Sequence, residues 1–349
     1  MKVDRGILAA IGAAALFGLS TPLAKTLLDT VPALLLAGLL YLGSGAGLAA
    51  ILAVRAAAGA GQRIRWPRGA EAGWLAGAIV AGGAIGPYLL MLGLRQTDAA
   101  SASLILNLEA VFTSLIAWFV FKENVDRRIA LGMALIVAGG AALSIGAGFR
   151  ALVIAGPLAI AGACLAWAID NNLTRKVSAL DAMLIACVKG LVAGTTNVAL
   201  AMAGGAALPA ASTVAKAGLL GLAGYGLSLT LFVVALRSLG TARTGAYFST
   251  APFIGAALAV ALGAPVTPAL ALAGLLMAAG VWLHLTERHE HLHQHERLEH
   301  EHPHVHDEHH RHAHGPGWDG KEPHSHRHVH EPLRHTHAHF PDLHHRHKH

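Results

Sequence analysis

Residues 1–283 contain no histidine, although the chain carries 24; every one lies between His284 and His349. Charge is scarce as well. The chain is 13 % charged, whereas a soluble domain is typically about 25 %, and 54 % of its residues are hydrophobic. Nearly all of the apolar residues fall before position 284, which excludes a soluble globule for that part. Only two cysteines occur, Cys164 and Cys187, both inside apolar runs, so they read as small packed hydrophobes rather than a structural disulfide. No nucleotide loop, catalytic triad or glycine-rich phosphate cradle is supported by its context, and no enzyme is expected. The many Gly pairs lie in apolar runs, where small residues let helices approach closely.

Residues 1–283 hold 18 Lys+Arg and 9 Asp+Glu, a formal +9, while the tail holds 8 and 11, a formal −3. The basic balance therefore carries no implication of nucleic acid. A hydrocarbon core about 30 Å thick takes roughly 20 apolar residues per helix, and ten such runs can be drawn: 6–28, 31–54, 73–94, 98–121, 128–147, 151–172, 180–204, 214–236, 241–263 and 267–286. The first could pass for a signal peptide, but nine more follow, so it reads as a retained span. None alternates as a barrel strand would.

With the N-terminus cytoplasmic, that side collects 13 Lys and Arg between runs and the other side four, namely Lys25, Arg95, Arg150 and Lys216. Such a bias orients helices with both termini in the cytoplasm. An internal repeat supports the count. Leu92–Thr113 lies on Val234–Gly255 at an offset of 142, with Arg95 on Arg237, Ala100 on Ala242 and, further along, Gly132 on Gly274. Leu16–Lys25 resembles Ala166–Lys176 at an offset of 150, with Phe17 on Trp167 and Lys25 on Arg175. Five spans per half is an odd number, so the second half is inverted. Inverted repeats are a known plan for alternating-access transporters, with substrate near the midplane.

The expected fold is therefore an all-α membrane protein of ten transmembrane helices. Residues 1–147 and 151–286 form two inverted five-helix repeats, and residues 287–349 form a cytoplasmic tail that lacks fixed structure when metal-free. Its low hydrophobicity, Pro303, Gly315-Pro316-Gly317 and Pro323 argue for that state.

The segments LFGLSTPLAKTLL and LAWAIDNNLTRK, and the stretch LRQTDAASASLILNLEAVFTSLIAWFVFKE that closes on Lys122-Glu123, resemble the EamA-type branch of the drug/metabolite transporter superfamily. The resemblance covers about residues 6–286. It implies ten helices, cytoplasmic termini and a central cavity, in the inner membrane of a bacterium. That family handles amino acids, nucleobases, sugars, drugs and other metabolites, so it names no substrate. A subset linked to nickel and cobalt resistance is similar in ending with a histidine-rich tail. The acidic position near Glu123 is Pro265 in the second half, a departure that weakens any role for that glutamate.

Glu109, beside Asn107, sits midway along the fourth run. A carboxyl at that depth is costly unless paired or protonated and marks a pathway candidate; the alternative is a tie between helices. Its repeat counterpart is Ala251. Asp170, Asn171 and Asn172 form a polar cluster in the sixth run, facing a cavity or solvated at the helix end. Lys25 reads as an interfacial residue rather than a substrate contact. Lys189, with Asn197 two turns beyond, needs a partner, Glu109 or Asp170. Such a pair would be a gate, a static tie or a proton relay, and a buried lysine makes a bare divalent cation less welcome nearby.

In the tail, His289, His291, His293 and His295 alternate, as do His300, His302, His304 and His306. The pattern returns in His324, His326, His328 and His330 and in His335, His337 and His339. Residues two apart in an extended chain share a face, so neighbouring imidazoles can chelate one ion. Imidazole suits Zn, Ni, Cu and Co. The spacing points to many weak, exchangeable sites for a divalent transition metal, with no cofactor required. The leading functional expectation is a secondary transporter exporting nickel or cobalt. The alternatives are a metabolite or amino-acid exporter with a metal-buffering or metal-sensing tail, and a metal-binding membrane protein that moves nothing. Expected partners are the lipid bilayer and a metal ion or small-molecule substrate, with a homodimer left open.

Overall fold

The computed structural model describes residues 5–58, 65–120, 127–146, 151–177, 180–286, 290–294, 298–304, 324–330 and 334–338. It has two compact units, Met1–Glu287 and Arg288–His349. The first is helical throughout its described elements: α1 (Arg5–Leu27), α2 (Ala33–Ala57), α3 (Ala70–Ala78), α4 (Gly86–Gln96), α5 (Ala99–Ile105), α6 (Leu108–Phe119), α7 (Arg127–Gly146), α8 (Ala151–Arg175), α9 (Ala182–Ala203), α10 (Ala211–Gly221), α11 (Ser228–Phe248), α12 (Ala251–Ala261) and α13 (Pro268–Leu285). Among the described residues, seven helical stretches are long and apolar enough to cross a membrane, and two shorter apolar helices accompany them.

The starts and stops follow local chemistry. Asp98 opens α5 and Asp181 opens α9, each accepting a hydrogen bond at 2.9 Å from a backbone N–H three residues on. Thr267 does the same for α13 at 3.1 Å, with Pro268 next. These side chains satisfy donors that a helix start leaves open. Helices α9 and α12 end at Gly205 (φ 87°) and Gly263 (φ 100°). In each case the next N–H reaches five residues back, Ala206 to Ala201 O and Ala264 to Ala259 O, both at 3.0 Å. A left-handed glycine is what this closure requires.

The repeat is visible in the irregularities. A π-helical turn, Ile79–Ile85, joins α3 to α4, and another, Leu222–Leu227, joins α10 to α11; their first residues are 143 apart and their last 142. The fourth run breaks at Leu106–Asn107, and its counterpart breaks at Ser249–Thr250, again 143 apart. Around both breaks the bonds tighten to three residues, as from Asn107 to Leu104 O (3.0 Å) and from Thr250 to Tyr247 O (3.1 Å). The eighth and ninth apolar runs, drawn as separate spans with a boundary near 237–240, are instead joined by one helix, since α11 passes unbroken through Ser238 and Thr241. Hydroxyls and one glycine weaken a helix there without ending it; no proline intervenes. The interruption comes at Ser249–Thr250, where Pro252 follows in the first turn of α12.

Equivalent helices cross antiparallel, as inversion demands. Along α2 and α9, Gly38 meets Val198, Gly194 meets Leu42 and Gly45 meets Leu191. Along α7 and α13, Gly139 meets Met277 and Gly280 meets Gly132. The approach is close. A Cβ on Gly38 would lie 2.6 Å from the Val198 nitrogen, and one on Gly280 2.6 Å from the Gly132 oxygen. Glycine at such crossings lets dispersion and packing replace the hydrophobic drive that lipid removes. The halves also interlock. Helix α8 packs on α4 and α6, while its equivalent α1 packs on α11 and α12.

Among its described residues, the second unit carries four strands, β1 (Glu290–Gln294), β2 (Leu298–His304), β3 (His324–His330) and β4 (Arg334–Ala338). β1 pairs with β4 and β2 with β3, both antiparallel, in two separate two-stranded ladders. A lone pair of strands is marginal in water, so such ladders need a further source of stability.

Candidate functional site

One stretch of α8, from Trp167 to Thr174, ties four neighbouring elements together. Asp170 and Lys189 form a buried ion pair, the lysine Nζ donating to both carboxylate oxygens at 2.6 Å. Lys189 is 1 % exposed and Asp170 5 %. The Thr174 hydroxyl donates to Asp170 Oδ1 at 2.8 Å, so the carboxylate is multiply held. A charge taken this deep needs such compensation. Of the two partners expected for Lys189, the geometry selects Asp170.

Asn171, the next residue, donates from Nδ2 to Glu109 Oε1 at 2.7 Å. Glu109 opens α6 immediately after the break and is half-buried. One turn before Asn171, Trp167 Nε1 donates to Gly82 O at 2.9 Å, and the Tyr41 hydroxyl donates to the same oxygen at 2.8 Å. Gly82 lies in the first π-helical turn, whose widened register frees carbonyls from the helical ladder. Asn197 Nδ2 serves Ala84 O there at 3.2 Å. Gly82 is also where the turn touches the Asp170 carboxylate, and a side chain would collide with it.

The repeat mates Phe17 and Trp167 meet edge to face, centroids 5.6 Å apart. Phe17 also touches Tyr225 and Phe248, and Tyr225 touches Tyr41 at 5.2 Å. Contact between mates puts this aromatic group at the interface of the halves, one helical turn along α8 from the Glu109–Asn171 bond. Chemically, the site offers one carboxyl outside the ion pair, a carboxamide and aromatic faces.

A model of the EamA-like transporter family matches residues 4–145. A probable 4-amino-4-deoxy-L-arabinose-phosphoundecaprenol flippase subunit of Pseudomonas paraeruginosa is 42 % identical over 118 residues, covering 32 % of this chain and 94 % of the relative. The chain belongs to the EamA-like transporter family. The Pseudomonas fluorescens protein of the same description is 39 % identical over 74 residues, 21 % of this chain and 64 % of its own length. An uncharacterized transporter of Methanothermobacter thermautotrophicus is 29 % identical over 207 residues, 57 % of this chain and 60 % of its own. The chain thus spans less than two thirds of the length of these last two relatives. A solved crystal structure, 20 % identical, superposes with a TM-score of 0.62 over 80 % of this chain and 96 % of the other, and shows the shared fold.

In this member of the EamA-like transporter family, then, the sequence candidates divide. Glu109 and Asn171 are bonded to each other, and Asp170 and Lys189 are paired beside them. Asp170 and Asn172 are buried rather than solvated at the helix end, but Asn172 bonds back to Ala168 O at 2.8 Å. Asn107 is 1 % exposed, with Nδ2 on Leu104 O at 3.1 Å, and it shapes the break. Lys25 turns inward to the end of α4, donating to Leu94 O and, at 2.8 Å, to Thr97 O. Tyr41, Gly82 and Thr174 escaped the sequence reading, since tyrosine, glycine and threonine in apolar runs carry no charge signal. Trp167 was visible only as a repeat mate of Phe17. Glu123, Lys122 and, in the tail, His289, His295, His306 and His339 lie outside the described residues.

Proposed function

We propose that this EamA-like transporter is an alternating-access secondary transporter that moves a small organic metabolite out of the cytoplasm, with Glu109 as the group exchanging protons for substrate. The observation that carries the reading is the Glu109–Asn171 bond, set at a helix break between the inverted halves and beside an aromatic group. A broken helix at membrane depth lining the repeat interface is where such transporters bind substrate. Asp170 is engaged by Lys189, so Glu109 is the carboxyl of this cluster free to change partners. The Pseudomonas relatives, described as probable 4-amino-4-deoxy-L-arabinose-phosphoundecaprenol flippase subunits, are in keeping with an organic cargo. The termini are taken to be cytoplasmic and the membrane to be the cytoplasmic one.

A second reading, export of a divalent transition metal with nickel or cobalt first, is favoured by the alternating histidines of the tail, which would collect the ion at the inner mouth. It ranks second because, among the described residues of the helical unit, no group of three His, Cys, Asp or Glu could hold a metal, and Lys189 lies beside the proposed path.

The test compares cells producing the full-length protein, full-length Glu109→Gln and an empty vector. The growth medium is profiled for small metabolites, and cells preloaded with nickel, cobalt or zinc are assayed for retained metal. An extracellular metabolite class that rises with the wild type and returns to background with Glu109→Gln, at unchanged metal content, is the expected result. Faster loss of nickel or cobalt that Glu109→Gln abolishes would overturn it in favour of the metal cargo.

A further inference from the structure

The two ladders of the tail set histidine opposite histidine. In the outer ladder His291 faces His337 and His293 faces His335. In the inner ladder His300 faces His328, His302 faces His326 and His304 faces His324. Residues two apart share one face of a strand, so each ladder gathers its facing histidines on a single face. The other face of the inner ladder carries a different set, with Glu301 opposite Arg327 and Pro303 opposite Ser325. Simple alternation of histidine along the chain does not require this. A shift of one residue in either pairing would set every one of these histidines against a different residue type instead.

We propose that the tail holds two discrete transition-metal sites, one per ladder, each formed by cross-strand histidine pairs rather than by neighbours along one strand. Directly opposite residues have Cβ atoms about 4.5–5.5 Å apart, a spacing that lets two imidazoles reach one ion at the roughly 2.0–2.1 Å typical of Zn–N bonds. Two adjacent facing pairs bring four histidines into register, the number of ligands that a tetrahedral zinc site takes, and nickel and copper also suit imidazole. The metal supplies the stability that an isolated two-stranded ladder lacks, so binding and strand pairing are one event. This inference concerns the tail alone and stands whether the cargo is a metabolite or a metal.

The nesting of the ladders orders their filling. The inner ladder closes a loop of 19 residues, 305–323, whereas the outer one closing alone spans 39 residues, 295–333. Doubling a loop costs about 0.6 kcal/mol, roughly threefold in affinity. Once the inner ladder is formed, only residues 295–297 and 331–333 separate it from the outer one. The inner site fills first and promotes the outer.

The test uses the full-length protein in lipid nanodiscs. Glu290→Cys and Ala338→Cys, which face each other at the end of the outer ladder, are spin-labelled; the native Cys164 and Cys187 are buried. Diamagnetic Zn²⁺ is titrated while the inter-label distance is read by pulsed EPR. A broad distribution should collapse to one short distance on zinc addition and broaden again with chelator. His293→Ala/His335→Ala should abolish the collapse, and His302→Ala/His326→Ala should shift it to higher zinc. The discriminating control is His330→Ala. His330 faces Leu298 rather than a histidine, so its loss should leave the zinc midpoint unchanged. A distribution indifferent to zinc overturns the proposal, and so does an equal response to His330→Ala and His302→Ala/His326→Ala, which would mean that only the number of histidines matters.

Discussion

Where α8 carries Asp170, its repeat mate α1 carries Ser20, and the two halves handle those positions differently. Both side chains are buried, and both press on the glycine of a π-helical turn, Asp170 on Gly82 and Ser20 on Gly224. Ser20 satisfies itself on its own helix, donating to Phe17 O at 2.6 Å. Asp170 recruits Lys189 from α9. Gly194 meets Leu42 and Gly45 meets Leu191, equivalent contacts at an offset of 149, so the mate of Lys189 is the fully buried Leu40. The ionisable network has no counterpart in the other half: Asp170 and Lys189 belong to the second repeat, and Glu109, whose mate is Ala251, belongs to the first. Under the proposed alternating-access cycle, a symmetric frame with an asymmetric charge set would give the two faces unequal energies, because the same rocking motion would make and break different interactions on each side.

The sharpest way to break the comparison is to remove one charge. Lys189→Met leaves Asp170 buried and unpaired, which should cost about 3–5 kcal/mol and appear as a large fall in thermal stability in detergent. Asp170→Leu with Lys189→Met makes the second half resemble the first, where Leu40 occupies the lysine position. The double variant should recover most of the loss, since an apolar pair of similar volume is often neutral. If the double variant is as unstable as the single, the pair is more than a compensated charge.

A milder probe uses the paired glycines. Gly82→Ala would push its methyl into the Asp170 carboxylate, which is already held by Lys189 and Thr174, while Gly224→Ala meets the small Ser20 side chain. Overpacking of this kind costs about 1–3 kcal/mol, and the Gly82 variant should lie at the upper end. Equal losses would show that the network around Asp170 is as yielding as a serine.

How much of this was legible follows from what each residue signals. Charge in an apolar run is conspicuous, so Glu109, Asp170 and Lys189 stood out, and the ten runs and their repeat located the helices. Which carboxylate Lys189 would choose was not legible, because it depends on how α8 and α9 cross. The continuity of α11 was missed because Gly and hydroxyl residues punctuate sequence more strongly than they interrupt a packed helix. The π-helical turns left no trace either. In the first of them the freed carbonyls of Gly82 and Ala84 meet Tyr41, Trp167 and Asn197, a tertiary matter. Alternating histidine raised the expectation that the tail chelates metal, whereas the pairing of β1 with β4 rather than with β2 is a long-range choice.

The smallest expected effect tests whether the two donors on Gly82 O act together. Tyr41→Phe and Trp167→Phe each remove one hydrogen bond from an oxygen that keeps the other, so each should cost only the net worth of a bond, about 0.5–1.5 kcal/mol. Removing both leaves a buried carbonyl, released from regular helix bonding by the π-helical turn, without its side-chain donors. That adds a desolvation penalty of about 1–3 kcal/mol, so the double variant should lose more than the sum of the singles. The second half offers the control: its position equivalent to Tyr41 is Gly190, which has no hydroxyl to lose. A double-variant cycle that closes additively would mean that the turn holds its shape unaided, and the aromatic pair would then owe its place to packing against Phe17 and Tyr225 alone.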